Sequence, residues 1–180
     1  MKFTQGPLPG LLVAEADLLN DDRGYFFESF HTVQFANAGV HDLFVQDNQS
    51  LSNRNVLRGL HFQNPPYAQG KLVRVIRGAA LDVVVDIRKD SPDYGKHFKI
   101  ILDDVSHQML WVPPGFAHGF LSLQDDTIFY YKCTGYYNRE SESGIRWDDP
   151  ILNIDWETTS PRVSAKDQVL KSFSEFHNKF

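Results

Sequence analysis

Apolar and polar positions alternate in short runs over most of the chain, and turn-forming residues separate the runs. The run LLVAEA (11–16) predicts a short strand, and Asp21-Asp22-Arg23-Gly24 predicts a turn, because Asp and Gly tolerate left-handed backbone. YFFESF (25–30) predicts the next strand. Residues 32–38 predict a short helix stopped by Gly39. From about residue 55 the chain reads as strands at regular spacing: 71–77 ending at Gly78, 79–87 ending at Asp90-Ser91-Pro92, 98–102, 107–112 ending at Pro113-Pro114-Gly115, 116–123, and 127–133. Short strands with such punctuation predict an all-β sandwich or barrel. No helical segment long enough for a parallel crossover separates them. At the C-terminus Ser164 followed by Asp167 has the form of a capping box with Asp in place of Glu. Val169, Leu170, Phe173 and Phe176 then recur at helical spacing and predict a packed terminal helix.

Composition supports this picture. Aromatic residues make up 13% of the chain, with 14 Phe and 7 Tyr, and they favour strands. Lys and Arg number 18 against 23 Asp and Glu, a net charge of −5. That balance lacks the basic excess of a non-specific nucleic-acid binder, although a local basic cluster still suits an anionic small molecule. The one cysteine, Cys133, rules out a disulfide within the chain. No apolar run approaches the roughly 18 residues that span a bilayer, and no basic stretch leads into an apolar one at the N-terminus. There is no internal repeat or low-complexity linker. The expectation is one domain over residues 1–180, cytoplasmic, without nucleic-acid or membrane partners.

Three stretches concentrate side chains able to do chemistry. The first, LRGLHFQNPPYAQGKLVR (57–74), places Arg58, His61 and Lys71 around a Pro- and Gly-containing loop. Strand alternation puts His61 on one face with Gln63, and Lys71 on one face with Val73 and Val75. A lysine in line with two valines either reaches solvent from the strand end or serves a site, because an unpaired buried ammonium is costly. The second stretch, WVPPGFAHGFL (111–121), flanks His118 with Gly115 and Gly119. His118 reads either as a satisfied core histidine or as a ligand contact. In the third, TIFYYKC (127–133), Tyr131 alternates with Phe129 and Cys133 and faces inward. It is either ordinary core or a proton donor.

The PPGFAH segment resembles the second metal motif of cupins. Metal-binding cupins also carry a His-x-His pair in their first motif, and here the matching place reads His61-Phe62-Gln63. Two imidazoles without a carboxylate fall short of the three protein ligands that zinc and iron sites normally need. The expectation is no metal.

Together the stretches resemble one family, the dTDP-4-dehydrorhamnose 3,5-epimerases, which are metal-free cupins. The matching segments are DDRGYFFE (21–28), QDNQS (46–50), VLRGLHFQNPPYAQGKLVRV (56–75), DVVVDIRKDSPDYG (82–95), WVPPGFAHGF (111–120), YYKCTGYY (130–137), GIRWDDP (144–150) and SAKD (164–167). They cover nearly the whole chain in the family's order. The resemblance implies a cupin-type jelly roll with short N-terminal strands and a C-terminal helix. It implies a homodimer and no cofactor. It implies dTDP-4-dehydro-6-deoxy-D-glucose as substrate, epimerised at the two carbons beside the C4 ketone.

Such chemistry needs a base within reach of the proton and stabilisation of the enolate oxygen. By resemblance His61 is the base, Asp167 its carboxylate partner, Lys71 the cation near the ketone oxygen, and Tyr131 the acid on the opposite face. Arg23, Phe26, Glu28, Gln46, Asn48, Arg58, His118, Glu142 and Lys166 match positions of substrate contact, Arg23 and Arg58 suiting phosphate and Phe26 the thymine. Relatives that epimerise one carbon or isomerise a related keto sugar carry the same His, Lys and Tyr. A non-catalytic cupin that binds a nucleotide sugar is the alternative of another class.

Overall fold

The computed structural model describes residues 1–180. The chain opens with four short strands, β1 (Lys2–Gln5), β2 (Leu12–Glu15), β3 (Leu19–Asp21) and β4 (Gly24–Phe26), followed by helix α1 (Thr32–Asn37). Then come β5 (Gln46–Ser52), β6 (Val56–Gln63), β7 (Lys71–Arg77), β8 (Ala79–Asp86), β9 (His97–Asp103), β10 (Met109–Val112), β11 (Phe116–Ser122) and β12 (Thr127–Cys133). Two more short strands, β13 (Glu142–Gly144) and β14 (Arg162–Val163), and the single turn α2 (Ala165–Gln168) complete it.

The strands form two facing sheets. The first runs β1-β2-β10-β7-β12-β5 and the second β13-β6-β11-β8-β9. Every pairing is antiparallel except that of β14, which lies parallel beside the first half of β6. β3 and β4 form a separate hairpin. This is the all-β sandwich that the spacing of strands and turns predicts, and the cupin-type jelly roll that the resemblance implies.

Position in the sheet explains local sequence. β8 and β11 lie inside the second sheet and are buried along their whole length, so both faces carry apolar side chains. β5 is an edge strand, and its sequence QDNQSLS alternates between half-buried and exposed. Between the sheets Val73, Val75 and Phe129 meet Val84, Phe116 and Phe120. The rings of Phe120 and Phe129 stack at 4.0 Å across that core. Outside the first sheet, Phe35 of α1 packs with Leu12, Leu72 and Trp111. Outside the second sheet, Leu57, Leu60 and Phe62 pack under the C-terminal segment through Ile145, Trp156 and Phe176.

Three elements differ from the sequence pattern. The terminal helix starts as expected, with Ser164 Oγ accepting the Asp167 N–H at 3.1 Å, but it ends after one turn. Val169, on the expected apolar stripe, is 81% exposed. The chain beyond follows tertiary partners instead of helical ones. The Arg146 N–H donates to Lys171 O at 2.9 Å, and the Phe173 N–H donates to Asp149 Oδ2 at 2.7 Å. Phe173 and Phe176 still reach the core, each from irregular backbone. The strand expected over 25–30 stops at Phe26, because the chain then turns to cover the first sheet, with Phe30 against Phe35 and Phe44. The strand expected from residue 107 begins at Met109, since His107 has φ of 51°.

Candidate active site

The second sheet supplies a histidine held by a carboxylate. On β11, His118 lies opposite His61 of β6 and Phe120 lies opposite Arg58, so the one residue between them on β11, Gly119, faces two of β6, Gly59 and Leu60. The extra residue is Gly59, at φ 142°. This β-bulge resets the alternation. Leu57, Leu60 and Phe62 point outward into one core, whereas Arg58 and His61 both line the space between the sheets. Only glycine fits there: a Cβ on Gly59 would stand 2.5 Å from the Cα of Gly119, and a Cβ on Gly119 would stand 2.8 Å from Arg58 O. Gly59→Ala is expected to cost about 3 kcal/mol or more and most of the activity. Urea unfolding of the variant checks this, and a midpoint equal to that of the parent would count against it.

The bulged segment meets α2. His61 Nε2 lies 2.7 Å from Asp167 Oδ1, and the Gly59 N–H donates to Asp167 Oδ2 at 3.4 Å. Burial alone would raise the Asp167 carboxyl. The bonds from His61, Gly59 and Ser164 outweigh it and hold the group below the usual carboxylate range. Asp167 is therefore ionised at neutral pH, so His61 Nε2 is the donor and Nδ1 carries the lone pair. Across 106 positions of sequence, the pair makes an oriented imidazole base.

The first sheet supplies the facing wall. Lys71 pairs with Cys133, and Val73 pairs with Tyr131. Tyr131 in turn pairs with Asn48, and Cys133 with Gln46. These side chains share the inner face, so Lys71 reaches the cavity and not bulk solvent. Its ammonium lies 5.8 Å from the centre of the Tyr131 ring. Burial lowers its pKa, while the nearby Cys133, Asp82 and Glu142 act the other way. Burial, helped by Cys133, raises the Tyr131 hydroxyl against the opposing pull of Arg58. Tyr131 is thus a phenol that keeps its proton at neutral pH.

Two connected hollows separate the walls. One, of about 570 Å³, is lined by His61, Lys71, Tyr131, His118, Arg58 and Asp167, among others. The other, of about 300 Å³, shares His61, Lys71 and Tyr131 and adds Gln46, Asn48, Tyr137 and Glu142. Arg58 donates from Nε to Ser52 Oγ at 3.2 Å and has no carboxylate partner. Lys166 pairs with Glu142 at 2.5 Å, and Tyr137 Oη donates to the same carboxylate at 2.8 Å. Gln46 Nε2 donates to Asn48 Oδ1 at 3.0 Å.

His118 turns out to be both half of a buried pair and part of the cavity wall. Its Nε2 lies 2.8 Å from Oδ2 of the fully buried Asp82. Asp82 has no distinguishing mark in sequence, because it falls within the strand DVVVD. The strand register between β11 and β8, which places Phe120 opposite Asp82, is what brings the two together.

Three expected substrate contacts lie elsewhere. Arg23 pairs with Asp21 at 2.5 Å at the tip of the β3–β4 hairpin. Phe26 is 66% exposed, and with Glu28 it lines a separate hollow beside Met1 and Leu19. Nothing gathers three His, Cys, Asp or Glu side chains into one cluster.

A jelly roll whose facing sheets set an oriented histidine against a protonated tyrosine, with a half-buried lysine beside the tyrosine, has the layout of a proton-transfer enzyme, and its class is the carbohydrate epimerases. The family model for dTDP-4-dehydrorhamnose 3,5-epimerase matches residues 5–175, and the chain belongs to that family. It is 50% identical over 155 residues to the dTDP-4-dehydrorhamnose 3,5-epimerase of Methanothermobacter thermautotrophicus, covering 86% of this chain and 83% of that one. Identity to the enzyme of the same name from Escherichia coli K12 is 47% over 177 residues, covering 97% and 96%. The solved dTDP-6-deoxy-D-glucose-3,5-epimerase of Legionella pneumophila, in complex with dTDP-4-keto-L-rhamnose, superposes with a TM-score of 0.94 at 41% identity, covering 98% of this chain and 94% of that one.

Proposed function

We propose that the protein converts dTDP-4-dehydro-6-deoxy-D-glucose into dTDP-4-dehydro-L-rhamnose by removing and returning protons at C3 and C5. The observation that carries this reading is the placement of His61 and Tyr131 on opposite sheets of one cavity. A sugar ring held between the sheets offers one face to each. His61, through Nδ1, takes the proton beside the C4 ketone. The electron pair of the C–H bond moves into the carbonyl and leaves an enolate. The carboxylate of Asp167 stabilises the imidazolium that forms. Lys71 faces the oxygen on which the negative charge grows. Tyr131 delivers a proton to the carbon from the other face, and the centre is inverted. The mechanism draws on this chain's own side chains and on no metal or redox cofactor.

Arg58 and His118 are assigned to the anionic part of the substrate, with Gln46, Asn48, Glu142 and Lys166 along the second hollow. We read residues 1–180 as one domain, since both sheets share a core and the terminal segments cover their outer faces. The working unit proposed is a homodimer. Arg23 and Phe26 belong to a hairpin whose Leu19, Tyr25 and Phe26 lie exposed, and Glu28 follows just after it; in the proposed dimer these residues complete the cavity of the other protomer. A solution mass of a single chain would remove that part of the reading. The cytoplasm is the proposed place of reaction, on the ground of the nucleotide-sugar substrate. No helix is long and apolar enough to cross a membrane.

The test is deuterium uptake from deuterium oxide into the substrate, followed position by position by NMR with a metal chelator present. Label at both C3 and C5, with inverted product, is the expected result. Label at one carbon alone would mean a mono-epimerase, and no label would mean a binding protein or another substrate.

A further inference from the structure

The lip of the second hollow is held by glutamine side chains. Residues 134–141 cross that hollow between β12 and β13, and each of residues 135–138 gives one backbone group to an amide. Gln69 Nε2 donates to Gly135 O at 2.5 Å. Gln63 Nε2 donates to Tyr136 O at 3.3 Å, and Gln63 Oε1 accepts the Asn138 N–H at 2.7 Å. Gln46 Oε1 accepts the Tyr137 N–H at 2.9 Å.

Gln63 is central to this set. Its Nε2 also donates to Tyr67 O at 2.7 Å, in the loop that faces the lip. The residue is 5% exposed, and its amide serves both loops at once. A fully paired buried amide fixes the backbone it binds. The lip in turn carries Tyr137, whose hydroxyl bonds Glu142, and Glu142 pairs with Lys166, the neighbour of Asp167.

We infer that Gln63 is a positioning residue that pins the 134–141 lip, so that Tyr137 and Glu142 stand ready over the cavity before substrate arrives. The inference rests on the epimerase reading above. A released lip must be ordered by the substrate itself, which costs binding and leaves the proton-transfer groups unchanged. The loss therefore falls on KM and not on kcat.

The experiment is steady-state kinetics with dTDP-4-dehydro-6-deoxy-D-glucose on Gln63→Met, Tyr137→Ala and the double variant. Met keeps the length of Gln and makes none of its bonds. Gln63→Met is expected to raise KM about tenfold and to leave kcat within about twofold. In the Tyr137→Ala background the same change should move KM by less than about twofold, because the side chain through which the lip reaches the cavity and Glu142 is gone. A merely structural role would raise KM equally in both backgrounds. That result, an unchanged KM, or a loss confined to kcat overturns the inference. If Gln63→Met does not fold, Gln69→Met carries the same test through Gly135. Parent protein with no deuterium uptake defeats the epimerase reading and this inference together, whereas parent uptake with any contrary kinetic pattern defeats the inference alone.

Discussion

His61→Ala removes deuterium uptake at both C3 and C5, by about 10³-fold or more, and leaves the protein folded. The size follows from the role. His61 is the imidazole assigned to that step, with Asp167 behind it. His118 lines the cavity from the adjacent strand and pairs with the fully buried Asp82, but it is only 7% exposed and presents less of its ring to the cavity than His61 does. The fold survives because the His61 side chain lines a cavity and is itself 29% exposed. Water takes its place beside Asp167, whose other oxygen keeps the Gly59 N–H and whose backbone N–H keeps the Ser164 cap. The measurement is NMR of the recovered sugar after incubation in deuterium oxide, beside a thermal melt. Folded variant with uptake within tenfold of the parent would remove His61 from its role.

Tyr131→Phe separates two events that the parent enzyme runs together. Deuterium still enters the substrate, and inverted product falls by about 10²–10³-fold. His61 still strips the proton, exchanges it with solvent and returns a deuteron to the face it came from. The opposite face has lost its donor, so the centre is labelled without being turned over. The substitution deletes one hydroxyl from a ring already packed beside Phe129, and the fold is expected to tolerate it. Labelled starting sugar with little product is the sign to look for by NMR. Product at the parent rate would mean that another group, or water, delivers the second proton.

Much of the scaffold was legible in the sequence. The strands Lys71–Arg77 and Thr127–Cys133 run where alternation and the flanking turn residues place them, because each has an apolar inner face and a distinct stop. β5 was not legible. Its polar residues look like loop, and it is a strand because β12 pairs with it along its whole length. The bulge at Gly59 was equally hidden. Simple alternation puts Arg58 and His61 on opposite faces, and only the close approach of Gly119 makes an extra residue necessary. The terminal helix was overread, since spacing alone cannot distinguish a helical stripe from aromatics anchored one by one. Motif resemblance named Asp167 and Lys71 as site residues. It gave no hint that Arg23, Phe26 and Glu28 stand away from the cavity of their own chain.

The His61–Asp167 pair spans 106 positions, and its carboxylate sits near the end of the 180-residue chain. Synthesis runs from the other end, and strands can begin to pair before the last residues exist. A chain interrupted between residues 145 and 166 therefore carries the tyrosine, the lysine and most of both sheets, yet its histidine has no carboxylate to orient it. Turnover then reports that synthesis has passed residue 167 and that the Ser164–Gln168 turn has docked on β6. A product cut short before Asp167 lacks the oriented base, and cannot compete as a half-working enzyme for the same sugar.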